Sequence, residues 1–247
     1  MTRRDLFMSI IFTAVIPLFL VGNGIREMSN LIKSEHISER EIFYNTLDTS
    51  GGSVTSTTLI LLILIPMVVV VFEYIKGDDR VNCVVRHKNR DTYTKSLIVD
   101  GIKYSVCVVL LMEILKIFSL VFFLGLQIIA SKTLGIYLLI DIFASFLFYF
   151  RAISIYLLCK AKLSNKNISI IVTVLVYFTE CVIFNYVLYQ TELLPAFTLM
   201  ISFYAILGGI NPVLSAVWMC VSLFMNIVLA LLLIIEMRGK DILSFEK

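Results

Sequence analysis

The chain has 247 residues, of which 59% are hydrophobic and 16% charged, with a formal net charge of +3. Its mean hydropathy of +0.94 and its apolar runs, several near the roughly 20 residues that cross a bilayer as a helix, predict an integral membrane protein. A β-barrel is excluded, because the runs are continuous whereas barrel strands alternate over about ten residues.

In chain order, the first run covers about 6–22 and follows Arg3 and Arg4. No small-residue cleavage pattern follows Gly22-Asn-Gly24, so it reads as a retained helix. Residues 23–55 form a polar external loop, with Ser38 and Glu41 spaced as a capping box and Ser50-Gly-Gly-Ser53 as a hinge. The second run covers about 56–75.

Residues 76–103 are longer than a simple helix connection requires. Asp78 and Asp79 can cap a short helix on which Val81, Val84 and Val85 share one face. A basic turn follows, Arg86-His87-Lys88-Asn89-Arg90. A second segment starts with Asp91 as its cap, carries Tyr93, Leu97, Gly101 and Tyr104 along one side, and can run straight into the third run at about 104–130. The two pieces make an elbow. A headgroup anchor needs charge but no valine stripe, so the pattern favours a surface on which another protein docks.

The fourth run covers about 134–159, with Phe143, Phe146, Phe148, Tyr149 and Phe150 read as packing and interface aromatics, and the fifth about 168–189. Residues 193–210 are apolar but broken by Pro195, Gly208 and Gly209, which predicts a re-entrant pair of short helices before a sixth span at about 213–236. The expectation is therefore an all-α, polytopic protein with six transmembrane helices. Lysine and arginine placement orients it. Arg3, Arg4, Lys76 to Lys103, Lys160, Lys162, Lys166, Arg238 and Lys240 fall on one side, against Arg26, Lys33, Arg40 and Lys132 on the other. Both termini and the elbow are then cytosolic.

Glu113, Lys116, Asp141, Arg151 and Glu180 lie within the runs, with Asn185 close to Glu180. Such groups face a bundle interior, a partner or a substrate path. Glu113 and Lys116 are three residues apart, and counting from the cytosolic ends places Glu113 and Arg151 at matched depth, where they can pair. The five cysteines imply no disulfide framework, and His36 and His87, on opposite sides of the membrane, imply no metal site. Gly239-Lys240 is not part of a phosphate-binding loop, so nucleotide-driven work requires another chain.

With the amphipathic start Thr2-Arg-Arg-Asp-Leu-Phe7, the basic elbow Arg80 to Lys95 and the re-entrant helices before the last span, the architecture resembles the six-helix permease subunits of bacterial ABC exporters. The resemblance implies a non-enzymatic transport subunit of the bacterial cytoplasmic membrane, moving a hydrophobic or amphipathic peptide, lipid or drug. It implies a separate ABC ATPase holding ATP and Mg, a second permease copy or homologue, and contact with lipid but not nucleic acid. The coupling surface would comprise Val81, Val84, Val85, Arg86, His87, Lys88 and Arg90, and span five with the re-entrant helices would line the path. The alternative is a stand-alone secondary transporter or channel using the intramembrane carboxylates, although only one half of the chain has an interrupted helix. An intramembrane enzyme is disfavoured because no histidine lies in a run.

Overall fold

A computed structural model describes residues 65–75, 90–124, 132–163, 165–183 and 212–238. They form five helices: α1 (Ile65–Ile75), α2 (Arg90–Leu124), α3 (Lys132–Leu163), α4 (Lys166–Ile183) and α5 (Pro212–Arg238). The first span, the external loop 23–55, the part of the elbow from 76 to 89 and the re-entrant pair at 193–210 lie outside the described residues.

The second elbow segment does continue into the third run, because α2 is one 35-residue helix. Asp91 lies inside its first turn instead of capping it, where a carboxylate still interacts favourably with the helix dipole. Asn165 supplies a true cap for α4. Its Oδ1 accepts from the backbone N–H of Asn167 at 3.0 Å and of Ile168 at 3.2 Å, groups that have no partner within the helix. Pro212 opens α5 at the first helical position, where its missing N–H costs nothing. Hydroxyls within the apolar helices bond back one turn, as Ser105 does to the Gly101 carbonyl at 2.8 Å and Thr173 to that of Ser169 at 2.8 Å.

The hub is α3, which packs against α2, α4 and α5, while α2 also packs against α5. Its lower half is buried nearly all round, from Leu147 and Phe148 through Ile153 and Tyr156 to Ala161. That explains its continuous apolar sequence, since a helix with neighbours on every side has no solvent face to mark with polar residues. At Gly101 α2 lies close against α3, where a Cβ would be 3.2 Å from Ile153 Cγ2 and 3.7 Å from the Phe150 ring. Four of the fourth-run aromatics serve packing: the Phe146 and Phe150 rings stack at 5.9 Å, and Phe148 meets Tyr149 and, edge-on at 5.1 Å, Tyr177 of α4, whereas Phe143 is exposed.

Contacts between named residues fix the helix directions. Gly101 opposes Phe150 and Ile153, so α2 and α3 are antiparallel neighbours across their short connection. Tyr177 reaches Phe148, which makes α4 antiparallel to α3. Arg238 meets Asp91 and Asn226 meets Leu147, so α5 runs with α3 and against α2. Consequently the ends at 75, 90, 163, 166 and 238 share one end of the bundle, called the lower end below. α4 finishes and α5 begins at the other.

Two described helices contain stretches long and apolar enough to cross a membrane, Leu138–Leu163 and Met219–Arg238. The outward surface carries large apolar side chains on every long helix, among them Phe118, Leu139, Ile171, Phe224 and Ile235.

Candidate functional site

The polar side chains of the described residues concentrate at the lower end and along the inside of α3. At the lower end, Glu73 in the last turn of α1 accepts from the Tyr156 hydroxyl at 2.5 Å and from Lys160 Nζ at 2.9 and 3.2 Å. Tyr156 and Lys160 are four residues apart on α3, so one helical face presents both donors to one carboxylate. The pair is withdrawn from solvent, with side-chain exposures of 13% for Glu73 and 4% for Lys160. Ile65, Val68, Val69 and Phe72 bury the adjoining face of α1, and Phe72 also meets the Tyr104 ring of α2 at 5.5 Å.

Across the same end, Arg238 Nε and Nη2 each donate to a different oxygen of Asp91 at 3.2 Å. This fork-on-fork pair ties the first turn of α2 to the last turn of α5, and it is exposed. Thus the helix entering residues 76–89 and the helix leaving them are each tied by an ion pair, one to α3 and the other to α5.

Arg151 is 3% exposed. Its Nε donates to the Tyr177 hydroxyl at 3.2 Å, and that hydroxyl donates onward to the Phe148 carbonyl at 3.1 Å. The guanidinium carbon lies 5.7 Å from the Phe148 ring centre and 5.0 Å from that of Tyr177, so two aromatic faces offset part of its desolvation. Asn226 Nδ2 donates to the Leu147 and Ser222 carbonyls, both at 3.0 Å, joining α5 to α3.

The matched depth expected for Glu113 and Arg151 does not hold. Arg151 lies level with Gly101, between Phe150 and Ile153, whereas Glu113 is twelve residues further along α2, about 18 Å at 1.5 Å per residue. Counting from sequence-derived span ends misled because α2 is already helical at Arg90, well below the expected start near 104. Glu113 and Asp141 are both buried, at 3% and 4%, in the upper half of α2 and α3. Lys116 and Glu180 are helical residues of α2 and α4, and Arg90 is the first residue of α2. Val81, Val84, Val85, Arg86, His87, Lys88 and Asn185 lie outside the described residues.

Residues not singled out in the sequence prove to organise the polar contacts: Glu73, Tyr156, Lys160, Tyr177 and Asn226. A signal for the first three existed. Glu73 sits inside the second apolar run, and Tyr156 with Lys160 has the spacing of a two-pronged donor. Among the described residues no cluster of three or more metal-ligating side chains occurs. Comparison with protein-family models, with curated proteins and with solved structures finds no match.

Proposed function

We propose that this chain is a polytopic permease subunit of the bacterial cytoplasmic membrane, coupled through the elbow at 76–103 to a separate ATPase and exporting a hydrophobic or amphipathic substrate. The observation that carries the reading is the pair of ion bridges bracketing residues 76–89, Glu73–Lys160 before them and Asp91–Arg238 after them. A segment gripped by a moving partner transmits force only if its flanking helices are joined to the bundle. α1 is joined to α3 by a buried pair, and α2 packs on α3 at Gly101 while its foot meets α5 through an exposed pair.

The shared lower end of the ends at 75, 90, 163, 166 and 238, together with the lysine and arginine excess of those junctions, supports a cytosolic placement of that end and of the elbow. That α4 finishes where α5 begins supports an even number of crossings between them, as in the six-span arrangement. Outward apolar side chains on the long helices suit contact with lipid or with a second permease copy.

The two bridges divide the motion. Separating a buried pair leaves an uncompensated ion and costs about 3–5 kcal/mol, whereas an exposed pair contributes about 0–1 kcal/mol. Force on the elbow therefore leaves α1 fixed to α3 and shifts the foot of α2 against α5. The test is purification of the native complex with identification of its partner chains. A stoichiometric ATPase is expected, lost on Val84→Asp, which places a charge in the docking face, with membrane insertion unchanged. Full ATPase retention with Val84→Asp would show that the elbow is not the docking surface, and the absence of any ATPase would remove the exporter reading.

A further inference from the structure

Lys103, Cys107, Leu110, Ile114 and Phe118 of α2 are exposed, the last three at 48%, 62% and 61%. They recur at i, i+4, i+7, i+11 and i+15, which places them in one outward stripe, and Asp100, partly buried, extends it downward by three residues from Lys103. The charged foot of this stripe lies deep in the bundle. Gly101 stands against Ile153, ten residues before the end of α3 at Leu163, about 15 Å at 1.5 Å per residue. At the same level α4, which meets Phe148 through Tyr177, exposes Ile171 and Leu175, and α5, which meets Leu147 through Asn226, exposes Ile227 and Leu231. Two helices thus offer lipid an apolar face where α2 offers an ammonium group.

An ammonium group facing lipid at that depth is costly, and such groups face a bundle interior or a partner instead. The stripe carries its own counter-charge. Positions 100, 103, 107, 110 and 114 follow the three-and-four spacing of a coiled-coil seam, in which helices from two chains meet along one line. About a two-fold axis running along that line, Lys103 of one copy comes beside Asp100 of the other, and the same contact recurs with the copies exchanged. A carboxylate offers about four lone-pair positions, which accommodates the second copy's ammonium alongside the interaction that Asp100 already has within the chain. We infer that this α2 stripe is the face on which a second copy of the chain seats, closed by two reciprocal Asp100–Lys103 pairs below and by Leu110 and Ile114 above. The same geometry brings Cys107 opposite its counterpart. The inference rests on the permease reading, which calls for a second copy, and it assigns the face that receives it.

The experiment uses the full chain in native membrane vesicles, with Cys83→Ser, Cys159→Ser, Cys181→Ser and Cys220→Ser in place, and oxidises Cys107 with copper phenanthroline. Non-reducing electrophoresis is expected to show a covalent dimer. It should form about tenfold faster than the dimer from Ile171→Cys or Ile227→Cys, each placed in the same background with Cys107→Ser, the ratio that a preference of about 1.4 kcal/mol for this face produces. Lys103→Asp sets like charges opposite each other and should slow the crosslink by a similar factor. Adding Asp100→Lys restores opposite signs and should recover it. Should Lys103→Asp not be recovered in the membrane, the comparison of Cys107 with the α4 and α5 positions decides. Equal rates at the three positions, or a rate at Cys107 that Lys103→Asp leaves unchanged, would overturn the inference and leave the stripe covered by lipid. An adduct of Cys107 with a different chain would overturn it by giving the face to another protein. No ATPase enters the measurement, so failure here leaves the coupling test at Val84 standing, and loss of the ATPase partner leaves the seam testable as a dimer contact.

Discussion

The two ion pairs at the lower end use the same chemistry in different surroundings. Glu73 and Lys160 are 13% and 4% exposed, with a tyrosine hydroxyl completing the carboxylate's shell, whereas Asp91 and Arg238 are 37% and 63% exposed. Their best N–O distances, 2.9 and 3.2 Å, differ little. Burial is what separates them. In the first pair, loss of one partner strands an ion in a low-dielectric site, whereas in the second water and salt replace the missing group at almost no cost. A near-identical distance therefore marks a fixed joint at α1–α3 and a releasable one at α2–α5.

Substitutions can break or sharpen this contrast. The largest effect is expected from Glu73→Ala, which leaves the Lys160 ammonium buried and should cost about 3–5 kcal/mol, read as a sharp fall in thermostability or folded yield in detergent. Combining Glu73→Leu with Lys160→Met should recover much of that loss, because two apolar side chains strand no charge. If the double substitution is as unstable as the single one, burial of an ion is not what makes the joint stiff. Next comes Asn226→Leu, which removes a donor to two helix carbonyls and should cost about 0.5–1.5 kcal/mol, since both carbonyls keep their helical partners.

Gly101→Leu should prevent close packing of α2 on α3, whereas Gly101→Ala is expected to be mildly destabilising, by about 0–2 kcal/mol. A compression of about 1–3 kcal/mol outweighs the gain of about 1 kcal/mol in helix propensity, because the 3.2 Å neighbour is the branch methyl Cγ2 of Ile153, fixed to a stiff, fully buried Cβ. The smallest effect belongs to Asp91→Asn, about 0–1 kcal/mol and fading as salt is raised. A loss from Asp91→Asn comparable with that from Glu73→Ala would erase the distinction between the joints.

Much of the helical architecture was legible in the sequence, and the reasons are particular. Continuous apolar runs located α3, α4 and α5, and the stripe Tyr93, Leu97, Gly101 foretold the buried face of α2 because all three sit at helical spacing. The register between helices was not legible. Span ends taken from hydropathy shift when an amphipathic helix such as the foot of α2 runs unbroken into an apolar one, and this misplaced Glu113 relative to Arg151 by about 18 Å. Glu73 escaped notice because a lone carboxylate at the end of an apolar run looks like an interface residue until the partner helix is known. The aromatic cage of Arg151 joins residues 148, 151 and 177, a spacing that no single-helix pattern encodes.

The claim that the elbow moves α2 against α5 while α1 stays fixed to α3 is most directly tested by distances between spin labels in the native complex in nanodiscs. One label pair goes to the exposed positions Tyr74 and Leu163, beside the buried bridge, and the other to the exposed positions Lys95 and Ile235, beside the open one. On trapping the proposed ATPase partner with ATP and vanadate, the Lys95–Ile235 distance should change by several ångströms, roughly the scale of a one-turn helix shift, and the Tyr74–Leu163 distance should stay constant. A constant Lys95–Ile235 distance, or a change at Tyr74–Leu163 instead, would contradict the account.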